Sequence, residues 1–115
     1  MNFEKIAYEK DIYICPDPQG HRPVWIGFVL VEGKFYIEAE TGKRSSWGQA
    51  AFASRTGQLT LQGRVYQVNF TPITDDKLLD RIQAAYYEKY GPDARLMEAH
   101  AREACFEVAF VGEIG

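Results

Sequence analysis

The sequence predicts a mainly β, α+β domain of six strands with one short and one longer helix, arranged as a small closed or partly open barrel or, alternatively, as an open α+β sheet. Three observations predict it. Short runs of β-branched and aromatic residues recur between Gly- and Pro-containing turns. One extended segment alone repeats apolar residues every four positions, as a long helix does. So many short strands would expose many edges, and closure removes them. The 115 residues are the usual size of one domain, taken as 1–115, and 46% hydrophobic with 14% aromatic residues supplies an aromatic-rich core. No internal repeat or low-complexity segment interrupts it.

Each element follows from local chemistry. Phe3 to Lys10 is short and mixed, a helical turn or an arm. Asp11 to Cys15 has strand composition and ends at Pro16-Asp17-Pro18-Gln19-Gly20. Val24 to Val31 is too apolar for a strand with one wet face, so it is expected to be the central strand, buried on both sides. Glu32-Gly33-Lys34 signals a tight hairpin that pairs this strand with Phe35 to Glu40, in which Phe35, Ile37 and Ala39 share one face. Ser45 to Ser54 forms the short helix, with serine available as N-cap and Gly48 costing about 1 kcal/mol relative to alanine.

Two strands follow, Gln58 to Gln62 and Arg64 to Thr71, joined around Gly63, with Tyr66, Val68 and Phe70 on the larger apolar face. The longer helix begins after Pro72-Ile73-Thr74-Asp75, where Thr74 or Asp75 can cap it. Its stripe is Leu78, Leu79, Ile82, Tyr86 and Tyr90, and Gly91-Pro92 stops it. Asp93 to Glu103 is composed of helix formers, and Phe106, Val108 and Phe110 alternate in a last strand that ends at Gly112.

Composition restricts the function classes. A net charge of −3 argues against a general nucleic-acid or anionic-membrane surface, so any basic site must be local. The chain starts with mixed charge rather than an apolar signal core, and no stretch approaches the roughly 20 apolar residues that span a bilayer, so a cytoplasmic protein without a membrane segment is expected. Cys15 and Cys105 are too few for a disulfide scaffold, lack zinc-ligand spacing with the two histidines, and flank apolar strand residues; they are expected to be buried, reduced thiols, and no metal site is expected. His21 and His100 are expected to be surface or satisfied polar residues. Glu38 and Glu40 fall on the polar face of their strand, where solvated charge belongs, and indicate no general acid/base pair. Tyr86, Tyr87 and Tyr90 with Lys89 have the spacing of a ligand mouth or of a core-facing helix, and core packing is the simpler reading for Tyr86 and Tyr90.

One segment reads as a binding site, the basic turn Thr41-Gly42-Lys43-Arg44-Ser45-Ser46-Trp47. Lys43 and Arg44 supply positive charge and Ser45 and Ser46 supply hydroxyl donors. The following helix adds unused N–H groups and the positive end of its dipole, and Trp47 can cover a planar ring. The competing reading makes Lys43 and Arg44 a solvated turn, a serine merely the cap, and Trp47 core. Gly42-Lys43 is not a nucleotide-triphosphate loop, because Ile37 stands where that pattern needs glycine and Arg44 where it needs Ser or Thr.

The order of features resembles a family of small uncharacterised proteins similar to pyridoxamine-phosphate oxidases and deazaflavin-dependent nitroreductases, which share the flavin-binding split barrel. The resemblance covers most of the chain. It rests on Pro23-Val24-Trp25-Ile26, Lys34-Phe35-Tyr36-Ile37, Ser45-Ser46-Trp47-Gly48-Gln49-Ala50-Ala51, Val68-Asn69-Phe70-Thr71-Pro72-Ile73, and Asp80-Arg81-Ile82 with Ala85-Tyr86-Tyr87-Glu88-Lys89-Tyr90. It implies a six-stranded split β-barrel that pairs as a homodimer and holds a flavin-type cofactor, FMN or deazaflavin, at the subunit interface. The cofactor phosphate would lie against Lys43, Arg44, Ser45 and Ser46, with Trp47 adjacent, and the cofactor would carry any redox chemistry on a small molecule. Relatives usually carry Arg before this tryptophan and Tyr after it, whereas this chain has Ser46 and Gly48. That departure favours the alternative, a non-redox ligand-binding or dimeric interaction module that has lost the cofactor.

Overall fold

The computed structural model describes Ile6 and residues 9–10, 12–16, 23–92 and 100–114. The expectations for His21, for most of the Phe3 to Lys10 arm, for most of the turn after Cys15, and for 93–99 of the Asp93 to Glu103 stretch lie outside the described residues.

The strands are β1 (Ile12–Cys15), β2 (Val24–Ile26), β3 (Val29–Val31), β4 (Lys34–Glu38), β5 (Thr56–Leu61), β6 (Arg64–Pro72) and β7 (Cys105–Glu113). Two helices, α1 (Ser46–Ser54) and α2 (Asp76–Tyr90), complete the framework with short 3-10 turns at Gly42–Arg44 and Ala101–Ala104. The class is therefore mainly β with one short and one longer helix, as expected. Among the described residues the strands number seven, however, in one antiparallel sheet of order β2-β1-β5-β6-β7-β4-β3.

The seventh strand arises because the expected central strand is not central. Val24 to Val31 divides at Gly27-Phe28: its first half pairs with β1 and its second half with β4, at opposite ends of the sheet order. The two edge strands are thus consecutive in the chain. Two residues cannot span the width of a flat sheet, so the sheet must curl until its edges approach. Strand periodicity nonetheless runs unbroken through the division. Val24, Ile26, Phe28 and Leu30 pack into the interior cluster, while Val29 and Val31 face the opposite way, beneath α2. The run is covered on both sides only in its second half; in the first half Trp25 is 58% exposed.

Inward side chains from around the sheet meet in that one interior cluster, among them Ile12, Ile14, Ile37, Leu59, Val68, Phe70 and Phe106. The face assigned to Phe35, Ile37 and Ala39 and the one assigned to Tyr66, Val68 and Phe70 both point there. Phe28 stacks on Phe35 with centroids 4.4 Å apart, and Phe110 meets Phe35 and Tyr66 edge-on. Helix α1 adds Trp47, Ala51 and Phe52 to the same cluster. Residues Ile6 and Ala104 belong to it as well.

A second, smaller cluster lies outside the curl. Helix α2 buries Leu79, Ile82 and Tyr86, three residues on one helical face, against Val29, Tyr36 and Cys105 of β3, β4 and β7. The Asp75 side chain caps its start by accepting the Leu78 N–H (3.3 Å), and Gly91, with φ of 65°, ends it. Arg102 clamps the helix from the side, donating to Asp80 (3.0 Å) and lying 3.6 Å from Asp76. Arg81 pairs with Glu32 in the β3–β4 turn.

Candidate functional site

The basic turn is held by backbone groups and by the side chains of Ser45 and Gln49, not by Lys43 or Arg44. Gly42 N–H donates to the Ala39 carbonyl (2.9 Å), Ser45 N–H to the Gly42 carbonyl (3.0 Å), and the Gln49 amide side chain to the Lys43 carbonyl (2.8 Å). Gly42 takes φ of 62°, and a Cβ there would lie 2.2 Å from the His100 carbonyl oxygen. No other residue fits without moving the backbone. That frame leaves Lys43 and Arg44 exposed, and among the described residues neither forms an ion pair.

The remaining residues of the turn divide between solvent and core. Ser45 is buried, and its hydroxyl accepts the Gly48 N–H (3.1 Å) as the N-cap of α1, which therefore starts at Ser46 rather than Ser45. Ser46 is exposed. Trp47 turns inward, with its ring 5.9 Å from that of Phe106. Gly48 is buried, and a Cβ there would lie 3.3 Å from the β-carbons of Ala39 and Ser45. The structure thus brings Lys43, Arg44 and Ser46 to the surface at the start of α1, and commits Ser45 and Trp47 to building the turn. His100 is exposed and lies 3.8 Å from the Glu103 carboxylate, on the segment against which Gly42 packs.

A second concentration of polar atoms lies where the curled edges meet. Gly27 and Phe28 fall between β2 and β3, outside the ladders, so their backbone groups need other partners. Helix α2 supplies them from Tyr86, Lys89 and Tyr90, which share one face at spacings of three and four. The Tyr86 hydroxyl donates to the Gly27 carbonyl (3.1 Å) and accepts the Glu38 N–H (3.1 Å). The Tyr90 hydroxyl accepts the Phe28 N–H (3.0 Å), and Lys89 Nζ donates to the Phe28 carbonyl (2.9 Å). Gly27 makes this possible, because a Cβ there would lie 2.8 Å from the Tyr90 hydroxyl oxygen. Core packing for Tyr86 was legible from helical spacing. The use of three polar tips to seal a break in the sheet was not.

Lys89 also lies over the Phe28 ring, 3.4 Å from its centroid, and partial burial with Lys10 nearby pushes its ammonium down to about 8. Burial also raises the Tyr86 phenol well above its ordinary range.

Glu38 overturns an expectation. It does alternate away from Phe35 and Ile37, yet that outer face is covered here by α2, so the side chain is only 4% exposed. Glu40 is exposed, as expected. The Cys105 thiol hydrogen-bonds to the Glu38 carboxyl from the paired position on β7, while Glu38 Oε2 has no partner among the described residues. Burial pushes the Glu38 carboxyl up to about 7. The same burial, with Glu38 beside it, drives the Cys105 thiol well above its ordinary range, the opposite of what a nucleophilic cysteine needs. Both cysteines are buried, and neither forms a disulfide among the described residues.

Among the described residues, no cluster of three or more His, Cys, Asp or Glu is placed to hold a metal ion, and no helix is long and apolar enough to cross a membrane. No curated protein matches the chain. A family match does cover residues 2–108, and on that near-complete span the chain belongs to the bacterial family described as "Uncharacterized protein conserved in bacteria (DUF2255)".

Proposed function

We propose that the chain binds a phosphate-bearing ligand of the flavin type, FMN or deazaflavin, on the turn from Lys43 to Ser46, as a split-barrel homodimer. The observation that carries this reading is the exposed Lys43–Arg44 cation pair at the start of α1, which forms no ion pair among the described residues and sits on a turn held by the Gln49 side chain and by the packing of Gly42. Two cations beside a helix N-terminus suit a phosphate dianion by charge and by hydrogen-bond direction. The curled antiparallel sheet is compatible with a split barrel, and the turn lies between β4 and α1. A bound flavin would supply hydride chemistry, and this chain's residues would hold and orient it. For a homodimer, the outer face of β1 and β2 offers the cross-strand pair Tyr13 and Trp25, 46% and 58% exposed.

Titration with FMN, reduced and oxidised deazaflavin, and inorganic phosphate tests the ligand. The expected result is saturable binding with a perturbed visible spectrum, weakened about tenfold or more by Lys43→Ala with Arg44→Ala. Absence of binding to all three ligands overturns the reading, and so does unchanged affinity in the double variant. Light scattering in solution tests the homodimer, which a monomer mass overturns.

A second reading, a non-redox binding or interaction module, draws support from Trp47 and Gly48. The indole is packed on Phe106 and cannot cover an isoalloxazine ring without leaving the core, and a side chain at Gly48, where relatives carry Tyr, would press its Cβ to 3.3 Å from the β-carbons of Ala39 and Ser45. Binding of inorganic phosphate or a non-flavin phosphate ester, with none of FMN or deazaflavin, selects this reading.

A further inference from the structure

A buried carboxyl group with one oxygen unsatisfied is stable only if it is neutral or hydrated, because isolated negative charge is expelled from apolar surroundings. Glu38 meets that description on geometry. It lies beneath α2 with Oε2 unpartnered, and no cation among the described residues is within ion-pair distance. The groups that face it come from three elements. Cys105 on β7 hydrogen-bonds to it, Tyr86 on α2 is raised by its charge, and Arg102 on the turn Ala101–Ala104 attracts it from a distance. Arg102 is already engaged by Asp80 and Asp76.

The position matters because of what Tyr86 holds. Its hydroxyl joins the Glu38 backbone to the Gly27 carbonyl, so the helix, β4 and the break between β2 and β3 converge on one phenol. We propose that neutral Glu38 is a pH-operated latch: its ionisation loosens α2 from the sheet and unseals the Gly27–Phe28 break, while the interior cluster stays packed. Ionisation becomes favourable once α2 lifts and water reaches the carboxyl. The group binds its proton more tightly in the closed state, so closure is fully supported below the ordinary carboxylate range and weakens as pH rises toward neutrality.

Hydrogen exchange on the intact chain, expressed as protection factors, reads the latch directly. Protection of α2 and of Phe28 is expected to sit below that of β5 and β6 at every pH. It should fall by up to about tenfold per pH unit between about pH 4.5 and 7, then level off. In Glu38→Gln, which keeps the shape without the charge, that decline is expected to vanish. Carbon NMR of the wild-type glutamates provides a readout independent of any variant, with Glu38 expected to titrate near neutrality. Three results overturn the proposal: a Glu38 midpoint in the ordinary carboxylate range, equal protection of α2 and β5–β6 throughout, or the same pH profile in Glu38→Gln.

Discussion

The seam beneath α2 and the turn at Lys43 differ in what their polar atoms are for. At the seam, Tyr86, Lys89 and Tyr90 spend their hydrogen bonds on the protein's own backbone, and Glu38 is enclosed with them. At the turn, the backbone and the buried Ser45 do the holding, and Lys43 and Arg44 are left pointing at solvent. Polar side chains at the first place should therefore govern stability, and those at the second should govern binding. The aromatic-rich helix ending in Lys-Tyr, whose spacing suited a ligand mouth or, more simply, core packing, here also closes the sheet.

Variants can break or sharpen that contrast. Tyr86→Phe removes one hydroxyl and strands the buried Glu38 N–H and the half-buried Gly27 carbonyl, so a loss of about 2–4 kcal/mol is expected in urea denaturation. A cost below about 1 kcal/mol would mean that the seam is not held by this phenol.

Glu38 has an effect of similar size that depends on pH. Its carboxyl titrates near 7 in the folded chain against 4.5 for the free group, a gap worth roughly 3 kcal/mol. Because the folded value is the higher one, the contribution is complete below about pH 4.5 and is lost progressively as pH approaches 7. Glu38→Gln is accordingly expected to match the wild type near pH 4 and to exceed its stability at pH 8. Denaturation midpoints at those two pH values check the sign; a variant less stable at pH 8 reverses it.

Gly27→Ala is expected to cost about 1–3 kcal/mol, because the new methyl displaces the Tyr90 phenol from Phe28. Thermal melts combined with loss of Phe28 amide protection would locate the damage at the break. Smallest of all, Lys43→Ala with Arg44→Ala should shift stability by no more than about 0.5 kcal/mol, since both are exposed and form no ion pair among the described residues. If that double variant destabilises the fold as strongly as Tyr86→Phe, the division between a structural seam and a free turn fails.

Several elements were legible because their signals are local. A cap, a stripe and a stop define α2 within one stretch of chain: Asp75 accepts from Leu78, Leu79, Ile82 and Tyr86 are buried, and Gly91 follows. The basic turn was legible as a charged segment before a helix, but the directions of Ser45 and Trp47 were not. A serine can cap or bind, and a tryptophan can stack on a ligand or on Phe106; the choice depends on a strand almost sixty residues further along.

The sequence by itself determined the alternation of β4, β6 and β7, the hairpin at Glu32-Gly33, both helices, and the local character of any basic site, since all of these rest on neighbouring residues. Tertiary structure alone decided that Val24 to Val31 serves both edges of the sheet, that Glu38 lies beneath a helix, and that Trp47 belongs to the core. A two-residue period states that successive side chains point to opposite sides, but it carries no information about what covers either side. Coverage comes from elements distant in the chain. That is why Glu38, on a face correctly read as its own, turned out to be enclosed rather than solvated.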